Sequence, residues 1–469
     1  MRLKKLFTFI ILILGPCLHG QEEEQQPLVL TVKTALNMAL DNNRNILGTY
    51  EAHERAEINL EINESFFSVQ ITPNSTAGIS GGGKWGTGPA FGGGVAVAKK
   101  FEQGTWISSE PSIYKRGKHY ESNVRTTISQ PLLRGFGREY NLNAVRGAQY
   151  LLRTSERGVY SNQIALMLRT ITQLYNVART REALALHQAS FDRLRGYRDA
   201  AKLKEKIGLS DAEDVYRAEN AFKQAEETLN NSKEQFEDAQ DQLRDTLALS
   251  LDVPIEVNVP VQYEYFKMEQ QAALDTALQN RIEIEQVNEA YEESIRLSKI
   301  SKDNLWPELN LVLTYNNTGV GRYLVDSYRY KRDNTWNIGF STSTDINKDA
   351  DCLAYQQSLV AIGSSKRMID QAHANIIMEV KRTLRQIDRI DKRIEVQQVQ
   401  IKNAQGELRL AQLKFDHGYA DNFNVIQAER NLISSKSILL NAVIDHIVGR
   451  FQLFSVLGVL ADKPNSFCR

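Results

Sequence analysis

The chain has 469 residues, with 57 Lys and Arg side chains against 57 Asp and Glu. This balance leaves no excess of positive charge of the kind that binds nucleic acid, so no nucleic-acid partner is expected. Three cysteines in so long a chain do not form a disulfide framework.

The N-terminus has the layout of a secretory signal peptide. Basic residues precede an apolar run over residues 6–14, and a polar stretch follows. The run is too short for a transmembrane helix. Cleavage after Gly20 predicts residues 1–20 as the signal peptide. LGPC also resembles a lipoprotein cleavage site, which leaves lipidation of Cys17 as an alternative.

Two segments of the chain are near-copies of each other. GLSDAEDVYRAE (208–219) and GYADNFNVIQAE (418–429) share Gly, Asp, Val, Ala and Glu at the same offsets, 210 positions apart. Upstream, ALNMALDNN (35–43) matches ALDTALQNR (273–281) at an offset of 238, so the first copy contains 238 − 210 = 28 extra residues. The chain is therefore predicted to be an internal duplication.

Each predicted repeat begins with a helix of about 30 residues, over Thr34–Phe66 and Ala272–Asn304. Strands follow, and then a long helix over 142–205 in the first repeat and about 351–415 in the second. At 1.5 Å per residue this helix is a rod of roughly 95 Å.

The repeated segments are predicted to be the tips of two helical hairpins. Gly208 and Gly418 permit the chain to reverse, and Ser210 or Asp421 is the candidate cap of the returning helix. After each tip, small and apolar residues recur at spacings that alternate between three and four. This pattern predicts a seam along which the helix packs against a neighbouring helix. His446 lies on the second seam and is interpreted as a polar packing residue.

The strand regions show period-two alternation. In the second repeat (308–345) the apolar residues of each strand share one face: Leu309, Leu311, Leu313 and Tyr315, then Trp336, Ile338 and Phe340. The first repeat (68–131) has four strand-like pieces. Its extra residues belong there, as a second hairpin or a long outer loop. Such alternation fits both a lipid-facing barrel and a half-buried soluble sheet.

This plan resembles the outer membrane efflux protein family typified by TolC. The resemblance is carried by ISQPLLRGFGREYN (128–141) and by the paired G-x-x-D-x-x-x-V-x-x-A-E tips, and it covers roughly residues 29–460. The second repeat departs from the pattern, with STDINKDAD (343–351) where QPLLRGFG would recur.

The resemblance implies an α + β membrane protein of the cell outer membrane, built from a duplicated unit of strand pair and long helical hairpin. Three chains with four main strands each would close a 12-stranded β-barrel, continued by an α-helical barrel in the periplasm. The expected domains are an N-terminal segment (21–33), a first repeat (34–260, tip 207–211), a second repeat (261–460, tip 417–421) and a C-terminal tail (461–469).

The resemblance also implies a function and partners. The homotrimer would be the passive exit duct of a tripartite efflux or type I secretion system. It would receive substrate from a periplasmic adaptor (membrane fusion protein) and an inner-membrane pump of the RND or ABC type, while its barrel contacts outer-membrane lipid. The alternative is a periplasmic coiled-coil adaptor or structural scaffold. Two sequential hairpins, each after its own strand pair, argue against that alternative.

The tips are the expected adaptor contacts: Ile207, Gly208, Leu209, Ser210, Gly418, Tyr419 and Ala420. Family members often place acidic residues six and nine positions after the second-repeat glycine, where this chain has Asn424 and Gln427. With Asp214 and Asp421 these are the candidate gate residues. No catalytic, metal or cofactor site is expected, because the seven histidines lack H-x-x-x-H or H-E-x-x-H spacing.

Overall fold

The computed structural model describes residues 27–80, 88–329, 332–419 and 421–463. The predicted signal peptide, Cys17 and Ala420 lie outside these described residues. Within them, the helices and strands occur in two successive sets of similar order.

The first set contains β1 (Leu28–Leu30), α1 (Val32–Asn42), α2 (Arg44–Ser65), β2 (Gln70–Ser80), β3 (Gly88–Lys100), β4 (Trp106–Arg116), β5 (His119–Pro131), α3 (Arg138–Asn141), α4 (Asn143–Lys206) and α5 (Ala212–Thr246). The second contains β6 (Ile255–Val257), α6 (Gln270–Asn280), α7 (Ile282–Asp303), β7 (Leu309–Gly321), α8 (Leu324–Arg329), β8 (Arg332–Thr342), α9 (Asp349–Asp416) and α10 (Asn422–Val456). Corresponding helices match in length, with 11 residues in α1 and α6, 22 in α2 and α7, and 35 in α5 and α10.

The prediction of one helix of about 30 residues at the start of each repeat is wrong, because each is divided into two helices. At the first break Asn43 is extended, and its side-chain oxygen accepts hydrogen bonds from the N–H groups of Asn45 (3.0 Å) and Ile46 (3.4 Å). Asn satisfies the free N–H groups of a helix start well. Arg281 has the same extended backbone at the second break, without a side-chain cap.

The long helices confirm the predicted rods, with 64 residues in α4 and 68 in α9. At 1.5 Å per residue, α4 is about 96 Å long. The returning helices α5 and α10 bury their predicted seams, including Ala218, Leu243, Val425 and Leu453. Among the described helices, α10 is long and apolar enough to cross a membrane by composition, yet its buried aliphatic residues belong to clusters shared with α4 and α9.

Six strands of the described chain form one sheet in the order β2-β3-β4-β5-β7-β8. Every neighbouring pair is antiparallel. The four strand-like pieces predicted in the first repeat are confirmed as β2–β5, and with β7 and β8 they give six strands, two more than the four main strands that the resemblance implies. The additional hairpin β3–β4 lies in the predicted region of the 28 extra residues, and it is paired into the sheet rather than left as a loop.

The strand register separates an apolar face from a polar face. Leu313 lies opposite Ile128 on β5 and Ile338 on β8. Nearly all exposed large apolar side chains of the described sheet share this apolar face: Ile71, Ile79, Phe91, Val95, Val97, Ile113, Leu311, Tyr315, Trp336, Ile338 and Phe340. On the polar face, Arg125 Nε donates a hydrogen bond to Asn316 Oδ1 at 3.1 Å. The predicted alternation of β7 and β8 is confirmed.

The two repeats meet in a buried core near the middle of the rods. There β1 pairs in parallel with β6, with Leu28 opposite Ile255 and Leu30 opposite Val257. The core cluster around this pair contains residues of α1, α4, α5 and α10. Burial of these apolar surfaces provides the main stabilisation of the contact between the repeats.

A polar cluster lies on the seam between α9 and α10. His446 is fully buried, as expected for a packing residue. Its Nε2 lies 3.1 Å from Asp391 Oδ1 without hydrogen-bond alignment, and the Tyr263 hydroxyl donates to the same oxygen at 3.1 Å. Burial lowers the pKa of His446, opposed by the Asp391 carboxylate, and the nearby Arg450 also lowers it. Burial and the bond to Asp391 raise the pKa of Tyr263 to about 12.

Because His446 is buried in this cluster, we expect part of the folding stability to be lost in mild acid. Because the folded-state pKa of His446 is lowered, unfolding takes up a proton below the ordinary pKa of about 6.5. Stability is then fully present above that pH and falls below it. We expect His446→Leu to lose less thermal stability than the native protein between pH 7.5 and pH 5, measured as the unfolding temperature in detergent. His417→Gln, at an exposed position, is the control, and equal pH dependence in all three proteins would contradict the assignment.

Candidate functional site at the hairpin tips

Both hairpins turn through the same backbone structure. Gly208 has φ +72° and Gly418 has φ +75°, a left-handed conformation that glycine adopts at low cost. In the first tip the N–H of Gly208 bonds to Glu205 O and that of Leu209 to Lys204 O. The second tip repeats both bonds at the same offsets. This pair of bonds satisfies the last carbonyls of a helix, so the tips are rigid reversals.

The cap of the first returning helix is Asp211, and the prediction of Ser210 is wrong. Asp211 Oδ1 accepts a hydrogen bond from the N–H of Asp214 at 3.1 Å. Ser210 instead donates its hydroxyl to Asp214 Oδ2 at 2.8 Å. In the second tip Asp421 occupies the predicted cap position, but its side chain accepts from Asn424 Nδ2 (2.9 Å) rather than from a backbone N–H.

The two tips lie side by side and are tied together. Lys204 Nζ donates to Phe415 O at 2.9 Å and lies 3.4 Å from the centre of the Phe415 ring. One turn back, Gln412 donates to the Tyr197 hydroxyl. Tyr197 packs against the buried clusters of both hairpins, and burial raises its pKa. Each tip is therefore held by the other hairpin.

An ion pair between a buried carboxylate and a partly exposed arginine strengthens this connection. Glu429 on α10 is fully buried, and Arg193 on α4 places Nε and a terminal nitrogen 2.7 and 2.6 Å from Glu429 Oε1. Its copy in the first repeat, Glu219, pairs with Lys202 at 2.6 Å within the first hairpin, and this bond lowers the pKa of Glu219. The repeated glutamate thus ties the hairpins together in one copy and stays within its own hairpin in the other.

The candidate gate residues lie in the first turns of α5 and α10. Asp214 is half-buried and bonded to the serine of its own tip. Asp421 Oδ2 lies 3.9 Å from the guanidinium of Arg217 on the first hairpin. Asn424 and Gln427 are exposed on α10, where they bond to residues of the same helix end.

The ends of the tips are apolar and exposed. Ile207 is 61% exposed, Leu209 73% and Tyr419 85%. Tyr216 and Phe423, on the first turns of the returning helices, extend this surface and were missed by the sequence reasoning. Exposed apolar groups clustered at one end of a molecule are typical of a docking surface.

The Arg193–Glu429 pair predicts a test of how the hairpins are joined. Arg193→Met leaves a buried carboxylate without its partner, which lowers the folding stability. The loss is limited to about 3 kcal/mol, because Arg193 itself is partly exposed and water already screens the pair. We expect faster hydrogen exchange of the amides in the first turns of α10. Lys392→Met is the control, since it removes an exposed pair with Asp388. Unchanged exchange in the Arg193 variant would contradict the role of the pair.

The second repeat of the chain matches a known protein family by sequence, and nearly the whole chain matches solved structures by fold. Residues 273–458 match the model of the family "Outer membrane efflux protein". No curated protein sequence matches the chain.

Three solved structures have a similar fold. The outer membrane channel CmeC of Campylobacter jejuni has a TM-score of 0.73 at 13% identity, covering 93% of this chain and 87% of that one. The outer membrane protein VceC of Vibrio cholerae has a TM-score of 0.69 at 12% identity, covering 91% and 96%. The open state of the MtrE outer membrane channel of Neisseria gonorrhoeae has a TM-score of 0.67 at 15% identity, covering 92% and 89%.

Proposed function

From the resemblance of this chain to outer membrane efflux proteins, carried by residues 273–458 and by the fold, we propose that it forms the outer-membrane exit duct of an efflux or secretion system. The observation that carries the proposal is the joining of an apolar-faced sheet to long helical hairpins with exposed tips. The family is one of channels rather than enzymes, and it is an outer-membrane family, in agreement with the expected localisation.

The sheet is proposed to be one segment of a barrel wall. Its shortest strands have 11 residues, which at about 3.3 Å per residue and 45° of tilt span about 26 Å, close to the apolar band of an outer-membrane barrel. The apolar face would meet lipid and the polar face would line a water-filled passage. Strand edges cannot remain unpaired in lipid, so the barrel must close through further copies of the chain, which we propose are three in all.

The hairpins are proposed to continue the passage through the periplasm. Their tips lie at the end of rods about 96 Å long, far from the sheet. The exposed apolar groups of Ile207, Leu209 and Tyr419 fit a contact with a periplasmic adaptor that connects the duct to an inner-membrane pump. The duct is proposed to be passive, with energy and substrate choice supplied by the pump.

The gate is proposed to lie at the same end, at Asp214, Asp421, Asn424 and Gln427. Support comes from their position on the first turns after the reversals. Ties between the hairpins lie within a few turns of these residues, at Lys204–Phe415 and Arg193–Glu429. Opening the passage would then require the hairpins to move relative to each other or as paired units.

The alternative of a soluble periplasmic adaptor or scaffold leaves the sheet unexplained. Trp336 is 74% exposed and Phe340 72% on the same face of the outermost strand β8. A soluble protein rarely leaves so large an apolar surface in water. We therefore propose the duct alone.

One prediction tests the wall. Leu313→Lys places a charge on the apolar face near mid-strand, which costs about 2–4 kcal/mol per chain at the membrane centre. Thr314→Lys places the same charge one residue later, on the polar face. We expect the first variant to lose membrane-inserted protein and the second to retain it, measured as the detergent-extracted mass by light scattering.

In the same measurement the native protein should have the mass of three chains. A monomer that needs no detergent would overturn the duct.

A second prediction tests the tips. Gly208→Val with Gly418→Val strains both reversals, since a β-branched residue is unfavourable at positive φ. We expect assembled, inserted protein that no longer supports export, measured as the resistance of the native host to a panel of toxic compounds. Gly196→Val with Gly406→Val is the matched control, because these glycines lie in α4 and α9 with open space around them. Normal resistance in the tip variant would contradict the tip assignment.

A further inference from the structure

We infer that the hairpin β3–β4 is part of the membrane wall, so that three chains of six strands close an eighteen-stranded barrel in which β8 of each copy pairs with β2 of the next. The inference rests on the proposed function. It concerns an interaction surface, the two sheet edges, and its partner is a second copy of this chain.

The hydrogen bonding of the sheet runs through the hairpin. β2 pairs with β3 from Gln70 opposite Ala98 to Ser80 opposite Gly88, and β4 pairs with β5 from Trp106 opposite Ser129 to Arg116 opposite His119. Within the described residues β2 and β5 are not neighbours. Moving the hairpin out of the wall in this arrangement would therefore leave the facing edges of β2 and β5 with unpaired N–H and C=O groups in lipid, which is strongly unfavourable.

The hairpin also has the side-chain pattern of the wall. Phe91, Val95 and Val97 of β3 lie on the apolar face with Ile113 of β4, while Glu110 of β4 lies on the polar face. A water-covered flap above the barrel has no need for this alternation, since both of its faces meet solvent. The alternation continues in register from β2 to β8, so the apolar face extends over all six strands. At the end of β5 and β7 furthest from the helices α8 covers this face, where Ser122 donates a hydrogen bond to Ser327 O at 2.7 Å.

The free edges are complementary in direction and length. β2 leaves α2 and runs away from the helices, whereas β8 runs back towards α9. Placing β8 beside β2 of the next copy therefore continues the antiparallel order without a break. Both strands have 11 residues, so each can pair along its full length.

The width of the helical part agrees with six strands. Beneath the sheet the helices lie in the order α2, α4, α7, α9, joined by His53–Ser155, Arg157–Glu289 and Ser298–Ser358 contacts. Four helices at about 10 Å spacing occupy about 40 Å. Six strands at about 4.8 Å, tilted by about 40°, occupy about 38 Å, against about 25 Å for four strands. The six-stranded segment thus fits the helices that continue it.

The first test compares neighbouring positions on β3. Val95→Lys lies on the apolar face, and Ala96→Lys lies on the polar face opposite Glu110. We expect Val95→Lys to reduce the yield of inserted trimer about tenfold or more, because a charge on the lipid face is unfavourable, and Ala96→Lys to assemble like the native protein. Equal assembly of the two variants, whether both succeed or both fail, would overturn the placement of β3 in the wall.

The Leu313→Lys and Thr314→Lys pair separates this inference from the proposed function. If that pair differs while the β3 pair does not, the duct stands and the eighteen-stranded wall fails. If neither pair differs, the duct itself fails.

The second test concerns the edges, in a Cys352→Ser, Cys468→Ser background of the full-length chain. Ser75→Cys on β2 is combined with single cysteines at successive positions from Thr335 to Gly339 on β8. Oxidation in membranes should give covalent dimers and trimers at one or two of these positions, since only cysteines facing each other across paired strands come close enough. Absence of cross-linked species at all five positions would overturn the pairing of β8 with β2.

Discussion

The constraint on which the proposed assembly depends is that a strand in lipid must have every backbone N–H and C=O group bonded. The described sheet satisfies this internally for β3, β4, β5 and β7, and leaves β2 and β8 with one free edge each. The chain therefore cannot complete its own wall. Because the sheet has an even number of strands, its two edge strands β2 and β8 are antiparallel to each other. Copies can therefore be added in a ring with every copy in the same orientation, and the helices leave every copy on the same side.

The helical part meets a different requirement, since rods of this length need continuous packing rather than closure. Small residues such as Ala218, Ala221 and Ala428 are buried on the returning helices, which lets the backbones approach closely along the seam. Hydrogen bonds and an ion pair between the two hairpins of a chain then fix how the hairpins pack against each other. The duplicated glutamates illustrate this divergence, because Glu219 bonds within its hairpin while Glu429 reaches Arg193 on the other.

Sequence reasoning succeeded where the signal was local and periodic. It located both rods and the left-handed glycines, and it assigned the faces of β7 and β8, because helix and strand periods repeat within a few residues. It missed the break at Asn43 and the Asp211 cap, which depend on one side chain bonding to backbone. It found four strand-like pieces in the first repeat, whereas the resemblance supplied only two strands per repeat. It could not foresee the Arg193–Glu429 contact, since no local pattern marks residues 236 positions apart.

The charges at the tips bear on how the proposed gate would select its cargo. The two acidic candidate gate residues have partners, since Asp214 has a serine hydroxyl and Asp421 faces Arg217, and the nearby Glu429 is buried against Arg193. The exposed positions that remain on α10, Asn424 and Gln427, are neutral amides. A ring of amides lacks the concentrated charge with which carboxylate rings attract cations. A constriction at these residues would therefore discriminate by width and hydrogen bonding, and the choice of substrate would fall to the pump that feeds the duct.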